Sequence, residues 1–357
     1  MARSHLTLAA LATSAVAGLD VAGTRSYSYG GHGDYDAALL NGRDGRELII
    51  RVPTSQVAET EQSADLVALR ALTAGTRGRL PFDVPTFVGQ APVGSTRAVV
   101  YDFLPGDKVA VEDIQPGEDG LAGSIGRGIA AIHSLPTGFV GDAGLPVLNS
   151  ADSHTATVAV IDSAAATGLL PAALRDRWRD AASDNALWQF QPVVINGALS
   201  VDSLLISDET VVGVLGWSAL SVGDPARDLH WMLGMRGDAA ESALGAYGAA
   251  RQVTTDRQFI RRSMLYAELE IARWLLHGRE LHDQSIVDDA VSMLASLADT
   301  VHSDSATPLN LETGPIMAVT DVEAMLERTP LGRDDDYAVG LEPVDDREGD
   351  RPAPNED

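Results

Sequence analysis

Between Pro192 and Leu229 the chain gathers polar side chains on loops between short apolar runs, a layout that can hold reactive groups at a fixed site. The segment reads Pro-Val-Val-Ile-Asn-Gly-Ala-Leu-Ser-Val-Asp-Ser-Leu-Leu-Ile, then a Ser207-Asp208-Glu209 turn and Val-Val-Gly-Val-Leu-Gly-Trp, and closes on Gly-Asp-Pro-Ala-Arg-Asp-Leu. Apolar runs at 192–195, 203–206 and 211–215 predict three strands. Asp202 is either a ligand for a metal, since hard cations want carboxylate oxygens, or a solvated loop acid. Other chemistries are excluded. Cysteine is absent, so there is no disulfide or thiolate chemistry, and no Gly-x-Ser-x-Gly or Cys/His zinc pattern occurs. His277, His282 and Asp283 have no helical ligand spacing and predict a helix-end turn.

The frame of this segment resembles the catalytic segment of the aminoglycoside and macrolide phosphotransferases, which share the protein-kinase-like fold. That family carries His-Gly-Asp, four residues, Asn, then Ile-Asp-Trp and Gly-Asp-Pro-x-x-Asp-Leu. Asn196-Gly197-Ala198 stands at the first motif, Ser203 at the Asn, and Leu215-Gly216-Trp217 at the second motif. The closing Gly223-Asp224-Pro225-Ala226-Arg227-Asp228-Leu229 is intact. In the family the first Asp serves the acceptor hydroxyl, while the Asn and second Asp hold magnesium on the nucleotide phosphates. Here those positions are Ala198, Ser203 and Gly216, so the frame stays and the chemical groups have changed. Asp224 and Asp228 correspond to scaffold acids that pin the loop to the helical lobe.

The resemblance implies an α+β, bilobal fold, a small antiparallel β lobe plus a larger, mainly helical lobe. It implies a catalytically impaired pseudo-phosphotransferase that still takes nucleotide or a small molecule. The alternative is an active ATP- or GTP-dependent phosphotransferase acting on a small hydroxylated, antibiotic-like substrate, with Asp202 or Asp208 as a displaced acid. ATP or GTP is the implied cofactor; magnesium is left without its expected ligands, and no metal-binding residue is assigned.

The elements that must position this loop follow from the rest of the chain. Its 357 residues suffice for two lobes, and 45% hydrophobic with 22% charged residues is a globular balance. No apolar run approaches the roughly 18 residues of a spanning helix, so a membrane protein is not expected. The net charge of -25 argues against nucleic acid or anionic membranes as partners. It suits a cationic small molecule such as an amino sugar, but plain solubility charge is the simpler account of it. The N-terminus, with an apolar run from Leu6 to Gly18 and Ala15-Val16-Ala17, mimics a signal peptide. Thr7, Thr13 and Ser14 interrupt it, which favours a short helix over the first lobe and a cytoplasmic location.

The expected organisation is an N-terminal helix at 1–21, a nucleotide-side lobe at 22–106, a helical lobe at 107–302 and an acidic, largely disordered tail at 303–357. Ser26 to Leu40 reads as two strands around Gly30-Gly31-His32-Gly33, either a phosphate-covering turn or a plain hairpin. Glu47 to Pro53 is the next strand, and a helix follows with Leu66, Leu69 and Leu72 as its buried stripe. By the resemblance Arg51 is the phosphate-pairing cation and Asp65 its helix partner, although the two also make sense as a structural ion pair. Tyr101, Phe103 and Leu104 would face the nucleobase through their backbone. His133, near a helix end before Pro136, is expected to pack and cap. Helices are expected near 121–135, 152–168, 171–183, 226–234, 237–250, 256–278 and 283–300, the tail carrying ten acidic and three basic residues from Arg333 onward.

Overall fold

The computed structural model describes residues 3–27, 34–251, 256 and 258–303. The glycine-rich turn at 30–33 and nearly all of the tail, including 321–327, where the sequence allows a short helix, lie outside the described residues.

The first part is a five-stranded antiparallel sheet: β1 (Val21–Ser26), β2 (Tyr35–Gly42), β3 (Glu47–Pro53), β4 (Phe87–Val93) and β5 (Thr96–Asp102), in the spatial order β1-β2-β3-β5-β4. Side chains alternate across a strand, and that alternation sorts the sheet's two faces. Leu48, Ile50 and Val52 of β3, with Ala98 and Val100 of β5, bury against Leu8 and Ala12 of helix α1 (His5–Ala15). The odd positions, Ile49 of β3 with Val99 and Tyr101 of β5, join Leu66, Leu69 and Leu72 in the opposite core. Helix α2 (Gln56–Ala71) carries Leu66 and Leu69, and Ser55 caps its start by accepting the Ala58 N–H at 3.1 Å. Arg51 shares parity with Ile49 and so faces α2. The short helix α3 (Ala74–Arg77) leads on to β4.

The second part is mainly helical. Helices α4 (Leu121–His133), α5 (Gly138–Asp142), α6 (Ser150–Ala166) and α7 (Ala172–Ser183) precede the loop, and α8 (Ala239–Arg251), α9 (Phe259–Leu281) and α10 (Gln284–Ser303) follow it. Leu265, Leu269, Ala272 and Leu275 of α9 bury with Trp178 of α7 and Leu294 of α10 in a core of their own. Between these helices lie two antiparallel pairs, β6 (Val193–Ile195) with β9 (Ser221–Gly223) and β7 (Leu204–Ser207) with β8 (Thr210–Val214). Asp208 and Glu209 turn the β7–β8 hairpin with φ of 48° and 56°, as a tight hairpin requires. Residues 225–228 and 230–234 form two 3-10 turns rather than the single helix expected there. Asp224 caps the first of them, with Pro225 at its first position. Among the described residues no helix is long and apolar enough to cross a membrane.

Candidate functional site

The loop after β6 is built on one buried carboxylate. Asp228, fully buried, accepts the Asn196 N–H on Oδ2 and the Gly197 N–H on Oδ1, both at 2.7 Å. His133 Nε2 lies 3.3 Å from the same Oδ2, and its Nδ1 lies 2.9 Å from the Tyr247 hydroxyl. His133 thus packs in a buried network. Gly197 has φ +85°, and a Cβ there would sit 2.4 Å from the Ala219 carbonyl oxygen, so only glycine fits.

The loop's own polar groups are engaged with the loop. Asn196, at the family's His position, donates from Nδ2 to the Gly216 carbonyl at 2.9 Å and accepts the Ala198 N–H at 3.2 Å. Ser203 Oγ accepts the Ser200 N–H at 3.3 Å. Ala198 and Gly216 are exposed and bring no acceptor side chain. Asp65 of α2 holds the far side of the turn by accepting the Trp217 N–H at 2.8 Å. Burial raises the Asp65 carboxyl above its ordinary range, against the opposing pull of that N–H and of Arg51.

A cleft of about 370 Å³ opens beside this loop, with Asp202, Ser203 and Gly216 on one side and Arg51, Asp65 and Tyr101 on the other. Tyr35 locks the Arg51 wall. Its ring lies 3.9 Å from the guanidinium carbon, and its hydroxyl donates across to the Ala58 carbonyl of α2 at 2.8 Å. Phe103 and Leu104 are not in the cleft lining: the Phe103 N–H bonds the Glu47 carbonyl at 3.0 Å, and its ring meets Tyr27 edge-on at 5.8 Å. Sequence reasoning missed Tyr35, Glu61 and Lys108. Glu61 was findable, four residues before Asp65 on the same helix face.

Lys108 was findable as the only lysine in the chain. Residues 107–108 run alongside β7, where Asp107 and Ile206 exchange backbone hydrogen bonds. The Lys108 residue is exposed, but its ammonium turns inward and donates to the carbonyls of Asp202 at 2.5 Å and Leu204 at 3.1 Å. Desolvation lowers its pKa to about 8, with Asp202 pulling the other way. A lowered ammonium pKa means the folded chain sheds this proton first, so its contribution to stability rises with pH from about 8 toward the unfolded value near 10.5. In ¹³C-lysine-labelled protein the single side-chain resonance is expected to titrate near 8; a midpoint near 10.5 would place the ammonium in open water.

The magnesium that the resemblance implies does not fit the donor set. A hydroxyl and a hydrogen stand where its two ligands belong, and among the described residues no three His, Asp or Glu side chains form a metal site.

The chain matches the model of the phosphotransferase enzyme family over residues 32–264. It is 24% identical over 200 residues to the uncharacterized protein YcbJ of Bacillus subtilis (strain 168), a match covering 55% of this chain and 65% of that protein, just under two thirds of its length. Among solved structures it is similar to the apoenzyme of macrolide 2'-phosphotransferase MphH from Brachybacterium faecium, at 22% identity and a TM-score of 0.67, covering 82% of this chain and 98% of that one. It is likewise similar to the GDP and kanamycin complex of APH(2")-IIia, at 19% identity and a TM-score of 0.67, covering 83% and 99%. The streptomycin-ATP-APH(2")-IIa ternary complex matches at 16% identity with a TM-score of 0.60, covering 83% and 97%. Likeness at these identities establishes the fold, which is bilobal and protein-kinase-like, and with the family match over residues 32–264 the chain belongs to the phosphotransferase enzyme family.

Proposed function

We propose that this chain is a pseudo-phosphotransferase of the small-molecule branch, a cytoplasmic protein that keeps the family's cleft for binding and has lost phosphoryl transfer. One observation carries the reading: Ala198, Ser203 and Gly216 occupy the positions of the base and both metal ligands in a frame that keeps its spacing and its closing Gly223–Leu229 run. A positioned base contributes roughly 10²- to 10⁴-fold, and metal charge neutralisation several kcal/mol more. Such losses do not simply add, yet removing all three leaves little of the mechanism. The partner is a small molecule rather than nucleic acid. ATP and GTP are the first ligands to test, because the similar structures include GDP and ATP complexes.

The test is a thermal-shift titration with ATP and GTP, each with and without magnesium. Binding to the native state alone adds RT ln(1 + [L]/Kd), about 2.7 kcal/mol at a hundred times Kd. Any shift is expected to be independent of magnesium. A magnesium-dependent shift with turnover would sink the reading. A restoring pair sharpens it. Gly216 has φ +69° and nothing within 4 Å of a built Cβ, so Gly216→Asp has room and a left-handed backbone that Asp tolerates. Together with Ala198→Asp it is expected to raise magnesium-nucleotide affinity. No change in that variant would overturn the alignment.

The second reading is an active enzyme acting on a small hydroxylated substrate. Asp202 favours it as the one carboxylate of this loop in the cleft lining. Unchanged turnover in Asp202→Ala would remove it from any mechanism.

A further inference from the structure

The chain's only lysine stands where the segment leading out of β5 meets the loop of the site. The backbone there is packed directly on β7. Asp107 and Ile206 exchange hydrogen bonds at 2.8 and 2.9 Å. Gly106, at φ +136°, lies so close that a Cβ would meet the Leu205 Cβ at 2.9 Å and the Ile206 nitrogen at 3.2 Å. That anchored backbone delivers the Lys108 ammonium to the carbonyls of Asp202 and Leu204. The two carbonyls bracket Ser203, whose own carbonyl accepts the Leu215 N–H at 2.8 Å. The turn Val201–Ser203 puts Asp202 and Ser203 in the cleft lining, so one ammonium holds the piece of wall at the position of a missing metal ligand.

This bridge depends on the chemical state of one nitrogen. Serving two carbonyls takes a group with several hydrogens, and charge assistance strengthens each bond. Acylation leaves a planar, uncharged nitrogen with one hydrogen, which cannot serve both carbonyls. The residue is exposed, although its ammonium turns toward the loop. Asp202 is the acid beside it on the turn, Asp107 precedes it on its own segment, and β7 brings the Leu204 carbonyl. Desolvation outweighs Asp202 and lowers the pKa to about 8. At pH 7.5 roughly a quarter of the molecules then carry the neutral amine, against about one in a thousand for an ordinary lysine. With two N–H groups directed at the turn, the amine's lone pair takes a remaining tetrahedral position, away from both carbonyls.

We infer that Lys108 is a modification site: an acyl thioester acylates its Nζ, and the acylated side chain releases the 201–203 turn from the segment that holds it. The amine attacks the thioester carbonyl carbon, the C–N bond forms and the C–S bond breaks. The thiolate leaves and takes up the proton that the amine gives up. The inference rests on the reading of the cleft as the binding site, whose wall the release alters.

The test treats the full chain at pH 7.5 with the S-acetyl thioester of N-acetylcysteamine. Peptide mass mapping follows acetylation at Lys108 and separates it from the α-amino group. The same lysine in the urea-unfolded chain is the reference. A larger neutral fraction speeds the reaction and a less basic amine is the weaker nucleophile, so the folded chain is expected to react at least about tenfold faster. Hydrogen exchange then reads the release. The Leu215 N–H is expected to exchange about tenfold faster in the acetylated protein and in Lys108→Gln, with the amides of β3 unchanged. Thioester treatment of Lys108→Arg should leave that exchange as it was. Equal or slower acetylation in the folded chain overturns the inference, as does unchanged Leu215 exchange after acetylation. Acceleration in treated Lys108→Arg also overturns it, because another group would then carry the effect. Neither measurement uses a cleft ligand, whereas turnover of magnesium-ATP is what overturns the binding-only reading, so the two fail by different results.

Discussion

Asp228→Ala is expected to lower stability by about 3–5 kcal/mol, a large share of the 5–15 kcal/mol that holds a typical domain together. The carboxylate is fully buried and accepts two backbone N–H groups at 2.7 Å, with His133 Nε2 at 3.3 Å. Each buried donor left without an acceptor costs about 1–3 kcal/mol, and the alanine orphans both at once. Asp228→Asn keeps one acceptor oxygen but turns an amide donor toward an N–H, so its loss should be intermediate. Urea denaturation reads both variants, with the midpoint falling and the slope unchanged if the transition stays two-state. An alanine loss under about 1 kcal/mol would mean that the loop is held by other contacts. The Asn variant keeps the test informative if the Ala protein does not fold.

The same geometry explains how the loop keeps its shape with its chemical groups changed. Asn196 closes it through the Gly216 carbonyl, Asp228 clamps its start, and Asp65 ties its far side to α2 through the Trp217 N–H. None of these bonds requires a metal. Asp65, expected to pair with the phosphate-facing cation, accepts a backbone N–H of the turn that follows the missing metal ligand.

This division also marks what was legible in the sequence. The run from Gly223 to Leu229 could be recognised because Asp224 caps the turn that it begins, accepting the Ala226 N–H, which ties residue type to spacing. The apolar run Leu48-Ile49-Ile50 marked β3 as a strand, and the resemblance placed Arg51 on it. Strand β4 was missed because Gly89 and Pro92 break the apolar pattern inside it. Strand β9 has only three residues, too few for a period to show. Tyr35 was invisible for another reason, and Lys108 stood out only by its rarity: their partners lie 23 and 94 residues away, and no local pattern encodes a contact at that range. Phe103 and Leu104 were placed by position in the resemblance alone, and backbone recognition leaves no side-chain signature to check.

Arg262→Leu is the other substitution expected to cost about 3–5 kcal/mol, because it strands a buried acid. Arg262 is fully buried on α9. Its Nε donates to Asp224 Oδ2 at 2.7 Å, its Nη1 donates to the Leu187 carbonyl at 3.0 Å and to Asp256, and its guanidinium carbon lies 4.5 Å from the Phe190 ring centroid. Without it, among the described residues Asp224 keeps only the Tyr266 hydroxyl at 3.0 Å and the Ala226 N–H at 3.0 Å. Arg262→Lys should recover only part of the loss, since a single ammonium cannot replace a planar fork with three acceptors. The decisive comparison is the double variant Arg262→Leu/Asp224→Leu. Removing both charges abolishes the stranded acid, so the pair should lose less than the sum of the singles, with a coupling of about 0.5–3 kcal/mol by chemical denaturation. Additive losses would mean that the two residues act separately, Arg262 through Leu187 and Asp256 and Asp224 through its cap. In that case the pinning of the Gly-Asp-Pro turn to α9 would rest on Tyr266 and on Ser263, whose hydroxyl donates to the Ala226 carbonyl at 3.4 Å.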